Sequence, residues 1–116
     1  MAIFVQTDTP TKLVREIKEY IDDKRITTWM YDQDGDFTHD TDQWRFHAWI
    51  RSSIEENRVV FGIVCRKDRN LSIVDYAIYH GRFVEMLLTH FDKLCDEINV
   101  SPLATPHYDS VKSEKI

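Results

Sequence analysis

The 116-residue chain is poor in the residues that punctuate and staple small proteins: it has three glycines, three prolines and two cysteines. So few glycines leave no loop that could cradle a phosphate against backbone N–H groups. No G-x-S-x-G, H-E-x-x-H or C-x-x-C occurs, which disfavours an enzyme of a familiar kind. Cys65 and Cys95 lie in apolar patterns without metal-ligand spacing and read as reduced core residues. No apolar run approaches the roughly 18 residues that span a bilayer. The short apolar stretch at residues 2–6 has no basic leader, so a secretion signal is not expected. The expectation is a cytoplasmic protein with no membrane role.

Positive charge is also short. The chain carries 15 basic against 20 acidic residues, a net charge of −5, which argues against a nucleic-acid partner because phosphate contacts need clustered Lys and Arg. The deficit is local. Residues 1–31 and residues 57–116 are each balanced, and the whole imbalance falls in residues 32–56. Asp32, Asp34, Asp36, Asp40 and Asp42 crowd into that segment, with Arg45 and Arg51 after them. Such a stretch suits a basic partner, a cation or a solvated loop.

What is present supports one α+β domain over residues 1–100. Residues 2–6 read as a short N-terminal strand or a packed arm. Thr9-Pro10 looks like a helix start, with Thr9 as cap and Pro10 in the first turn. Leu13, Val14, Ile17, Tyr20 and Ile21 then follow at helical spacing. Residues 26–31 are β-branched and aromatic, a strand pattern. Asp34-Gly35 predicts a two-residue type I′ hairpin turn. Residues 43–52 alternate, placing Trp44, Phe46, Ala48 and Ile50 on one face and Arg45, His47, Trp49 and Arg51 on the other. Residues 59–66 are apolar on both faces, as in a central strand covered at least partly on each side. Ser72 and Asp75 resemble a capping box opening a long C-terminal helix, whose stripe runs from Ile73 through Leu94, Cys95 and Ile98. Gly81 within it marks a kink or a close approach to the sheet. Residues 101–116, broken by Pro102 and Pro106, read as a tail that can be disordered in isolation. The order is helix, a three- or four-stranded antiparallel meander, helix. If both helices share one sheet face, the other face is open and carries the Arg45 row.

Trp29-Met30-Tyr31-Asp32-Gln33-Asp34-Gly35-Asp36-Phe37-Thr38-His39, with Gln43-Trp44 and Ala48-Trp49 after it, resembles a group of small bacterial proteins to which no function is assigned. The run Tyr79-His80-Gly81-Arg82-Phe83-Val84-Glu85-Met86-Leu87-Leu88, then His90-Phe91-Asp92, is similar too. The likeness covers most of residues 10–95. It implies a bacterial, cytoplasmic origin and carries no activity.

Two constellations stand out. Arg45, His47, Trp49 and Arg51 put a tryptophan between arginines on a sheet face, and these are residues enriched at binding hot spots. They suggest a non-catalytic protein-interaction module that binds a protein partner or itself, with a symmetric dimer as the commonest outcome. The competing reading buries Trp49 under a helix or the tail, with the arginine stems packed around it. The second constellation is Asp32, Asp34, Asp36 and His39. The one-three-five spacing of the carboxylates suits a divalent cation, and His39 could add a nitrogen ligand or an acid–base partner. The loop is not an EF-hand: Gly35 precedes the third Asp, and Gln43 stands at the twelfth position. This alternative is a cation-binding protein or metal-dependent enzyme; otherwise no cofactor is expected. A third reading is an acidic mimic that occupies a basic protein.

Overall fold

The computed structural model describes residues 2–110 and 115–116. The chain forms β1 (Ala2–Gln6), α1 (Pro10–Asp22), β2 (Trp29–Tyr31), β3 (Phe37–His39), β4 (Ala48–Ile54), β5 (Arg58–Cys65), α2 (Ile73–Phe91), a 3₁₀ turn (Asp92–Leu94) and β6 (Glu97–Val100). These build one six-stranded antiparallel sheet in the order β2-β3-β4-β5-β1-β6. The α+β class and the β2-to-β5 meander match the sequence pattern, but the sheet is wider. The N-terminal strand is an interior one, with Phe4 opposite Val60 of β5 on one side and Asn99 of β6 on the other.

The sixth strand comes from residues assigned to the long helix. Helix α2 stops at Phe91. Leu94, Cys95 and Ile98 still pack against the core, from the turn and from β6. Apolar residues at that spacing satisfy a helical stripe as well as a turn followed by a strand, and the open edge of β1 selects the strand. The start of α2 is as expected. The Ser72 hydroxyl accepts from the Asp75 N–H at 3.0 Å, and the Asp75 carboxylate accepts from the Ser72 N–H. Thr9 stands at the N-cap of α1 as expected, though its side chain makes no capping hydrogen bond, and Pro10 sits in the first turn. Gly81 neither breaks α2 nor approaches the sheet: a Cβ there would meet nothing within 4 Å.

Both helices lie on one face of the sheet. Ile3, Ile50, Phe61 and Ile63 form a single core cluster with Leu13 and Ile17 of α1 and with Phe83 and Leu87 of α2. Trp29 stands edge-on to Tyr79 and Phe83, with ring centroids at 5.8 and 5.0 Å. The opposite face is not open, contrary to the expectation for this arrangement. Val60, Val64 and Trp49, which point that way, are 0%, 2% and 3% exposed. The C-terminal segment covers them. Tyr108 packs edge-on against Phe4. The Asp109 carboxylate accepts the Ile63 N–H at 2.8 Å, the Ser110 N–H donates to the Ile63 carbonyl, and the Cys65 N–H donates to the Ser110 carbonyl. Ser110 makes a parallel bridge to Val64.

Gly62 permits this crossing. A Cβ at that position would lie 1.9 Å from the Tyr108 carbonyl oxygen, so only glycine lets the segment lie flat on β5. The two glycines therefore predict opposite outcomes. Gly81→Ala should stabilise by about 0.5–1 kcal/mol, the ordinary gain for an exposed mid-helix glycine. Gly62→Ala should destabilise by about 1–3 kcal/mol through forced displacement of a packed backbone. It should also red-shift tryptophan emission as Trp49 loses its cover. Thermal denaturation and fluorescence of both variants check the pair.

Candidate functional site

The row Arg45, His47, Trp49 and Arg51 does not form one surface. Residues 43–47 are a turn rather than a strand: the Arg45 N–H donates to the Thr41 carbonyl, the His47 N–H donates to the Trp44 carbonyl, and Phe46 has φ of 62°. The Phe46 N–H is held by the Thr38 hydroxyl at 3.1 Å. Alternation cannot reveal this reversal, because its cause is a side-chain contact from another strand. Arg45 turns to Asp40 at 2.6 Å, with Asp42 at 3.6 Å. His47 bonds Asp75 at the start of α2, at 3.0 Å. Trp49 is buried and stacked on Phe46. Arg51 makes a two-pronged contact with Asp36 at 3.1 and 2.8 Å. Each charged member of the row is thus matched within the chain.

The acidic segment does converge. Its hairpin is a three-residue loop and not the two-residue type I′ turn: Gly35 alone has positive φ, at 82°, and its N–H donates to the Asp32 carbonyl at 2.9 Å. The Asp32 carboxylate also accepts the N–H groups of Asp34 and Asp36, both at 3.0 Å. This folds the loop inward, and Asp32, Asp34 and Asp36 each bring a carboxylate oxygen to within 4.8 Å of the others. His39 is not part of this cluster. It lies at the far end of β3 against Trp29, with Nδ1 2.8 Å from the Thr28 carbonyl oxygen. The proposed Asp–His ligand set is therefore divided, because Asp36 precedes β3 and His39 is the last residue of that strand.

The cation that meets the three carboxylates is the chain's own Lys115. Its Nζ stands 2.5 Å from Asp32, 2.7 Å from Asp34 and 2.9 Å from Asp36. It also stands 5.6 Å from the centre of the Trp49 ring, within cation–π range. A cavity of about 450 Å³ surrounds it, walled by Asp32, Asp34, Phe46, Trp49 and Ile116. Trp49 Nε1 is buried without a hydrogen-bond partner among the described residues. Partial burial raises the Asp32 carboxyl, but the hydrogen bonds from Lys115 and from the Asp36 and Asp34 N–H groups outweigh it and hold the group below its ordinary value. Burial likewise lowers Lys115, and the three carboxylates more than reverse it.

Lys115 falls in the segment read as a tail, so sequence reasoning missed it. A usable signal was Gly62 inside an otherwise apolar run, a mark of close backbone approach. Compared with known proteins, the chain matches no family model, no curated protein and no solved structure.

Asp36 is 3% exposed and serves both Arg51 and Lys115, whereas Asp34 is 59% exposed. Asp36→Ala should therefore cost about 2–3 kcal/mol, below the range for a fully buried pair because Arg51 is half exposed. Asp34→Ala should cost under about 1 kcal/mol, and urea denaturation separates the two. The contact also has a defined pH window. The Asp32 pKa is depressed, so its contribution is present above the ordinary value of 3.8 and is lost as pH falls through the lower folded value. The Lys115 pKa is raised, so its contribution is complete below 10.5 and is lost only in stronger alkali. Trp49 emission should hold constant between these limits and shift in acid.

Proposed function

We propose that the protein is a non-catalytic interaction module that seats a lysine side chain in the acidic pocket beside Trp49. In this reading it self-associates by exchanging the C-terminal segment that carries Lys115. The observation that carries the proposal is the match between an ammonium group and its surroundings. An ammonium has three donors, and Lys115 meets three separate carboxylates at 2.5–2.9 Å while facing an indole ring. A guanidinium is a planar fork suited to one carboxylate, which is how Arg51 uses Asp36. The pocket thus favours Lys over Arg.

Exchange is the simplest route to a partner for such a pocket. The segment from residue 101 onward would make the same contacts on a second copy as on its own, so no new interface chemistry is needed. Pro102 and Pro106 stand at its start, and Leu103 between them is 78% exposed. The acidic-mimic reading has less support, since Asp36 and Asp40 are matched by Arg51 and Arg45. The cytoplasm of a bacterial cell belongs to the same proposal: both cysteines are free thiols, and no helix among the described residues is long and apolar enough to cross a membrane.

The test uses the full chain. Light scattering across protein concentration should show a dimer whose population falls in Lys115→Ala. A synthetic peptide spanning residues 105–116 should bind saturably to Lys115→Ala protein. It should bind more weakly to the unaltered protein, where the tethered lysine competes at an effective concentration on the order of millimolar. The same peptide carrying Lys115→Arg should bind poorly to both. A chain that stays monomeric throughout, with no peptide binding to Lys115→Ala protein, would overturn the reading.

A further inference from the structure

A second cavity, of about 500 Å³, opens where the C-terminal half of α2 passes the ends of β2 and β3. It shares no lining residue with the Lys115 pocket. Its volume lies within the roughly 300–1,000 Å³ of small-molecule sites. Trp29, Trp44 and Met86 give it an apolar wall, and Arg25 and Arg82 give it two cations.

The two arginines are in different states. Arg82 is engaged with Glu85 at 3.1 Å. The Arg25 guanidinium lies 3.7 Å from the centre of the Tyr20 ring and has no carboxylate within 4 Å among the described residues. Stacking orients its plane and leaves its N–H edges for an anion. The ligand-facing charge is therefore positive, and its carrier is Arg25.

His39 fixes the complementary demand. Its Nδ1 is 2.8 Å from the Thr28 carbonyl oxygen. A carbonyl only accepts, so Nδ1 carries the proton and Nε2 keeps its lone pair. Burial holds the imidazole below its ordinary pKa, against the Thr28 bond that favours the charged form. Nε2 makes no hydrogen bond to any described residue, and the ring lines the cavity. An acceptor so placed asks for a donor from the occupant. Thr41 Oγ1, in the same wall, is buried without a hydrogen-bond partner among the described residues, which adds a second unmet polar demand.

The geometry points to a binding site for a small aromatic hydroxy-carboxylate. Its carboxylate would meet Arg25, its ring would lie against Trp44 and Met86, and its hydroxyl would donate to His39 Nε2. A flat ring suits an indole and thioether wall, and a paired carboxylate suits the unpaired guanidinium. This inference is independent of the lysine-pocket reading, because the two cavities are separate.

The probe is 4-hydroxybenzoate, titrated into the full-length protein and followed by amide chemical shifts and tryptophan emission. Saturation is expected by about 10 mM, the range reached by a ten-atom ligand of ordinary efficiency. Benzoate, which lacks the donor, and 4-hydroxybenzyl alcohol, which lacks the anion, should each bind about tenfold more weakly. Arg25→Gln should weaken 4-hydroxybenzoate by about tenfold and leave the benzyl alcohol unchanged, while Lys115→Ala should alter neither. The benzoate comparison tests the His39 contact from the ligand side, so it does not depend on His39→Gln folding. Absence of saturable shifts at the cavity, equal affinity for benzoate and 4-hydroxybenzoate, or equal shifts with inorganic phosphate would each overturn the assignment.

Discussion

Strand β5 is apolar on both faces, and helices α1 and α2 cover only one of them. Val59, Phe61 and Ile63 go to the helices, while Val60 and Val64 point the other way. Leaving those side chains and Trp49 in water would forfeit about 1.5–3 kcal/mol each. The C-terminal segment is what removes them from water. Its placement depends on a backbone that can approach β5 without side-chain interference, and Gly62 provides it. Much of the rest is subordinate to that contact. Once Tyr108 lies over Gly62, Asp109 and Ser110 fall in line with the free backbone groups of Ile63 and Cys65. The chain end then arrives beside the 32–36 hairpin.

The hairpin is built to meet it. Three carboxylates within 4.8 Å repel one another unless a cation lies among them. The loop nonetheless holds them inward, because Asp32 accepts the N–H groups of the other two. Arg51 neutralises Asp36 from the sheet side, and Lys115 supplies the remaining positive charge. The acidic excess concentrated in residues 32–56 therefore has a structural partner some 80 positions later in the chain. This is why charge arithmetic by segment exposes the imbalance and not its resolution.

The division between what the residues disclosed and what they concealed follows contact range. Helix α1, the α2 capping box, the meander and the apolar strand β5 are set by neighbours a few positions apart, and patterning reveals them. The 43–47 turn, the end of α2 and the position of β1 depend on contacts between distant elements. Phe46 is held by Thr38, β6 is drawn to the open edge of β1, and β1 lies between strands that begin 58 and 97 residues into the chain. The candidate sites divide the same way. Asp32, Asp34 and Asp36 converge because they share one loop. His39 separates from them because a strand intervenes, and the Arg45 row disperses because half of it lies in a turn.

The clasp at Lys115 is better suited to choosing an arrangement than to stabilising one. Removing an ammonium and carboxylates from water costs several kcal/mol per ion, which their attraction only roughly offsets. Most of the segment's stabilisation must then come from Tyr108, the cover over Trp49 and the backbone bonds to β5. What the ion cluster adds is register: a segment displaced by one residue would leave Asp32 and Asp34 without their cation and Asp36 with Arg51 alone. Charge thus fixes the register of a segment that apolar contacts and backbone bonds retain. Its release would expose an indole face and an acidic pocket together, the pairing on which the proposed exchange rests.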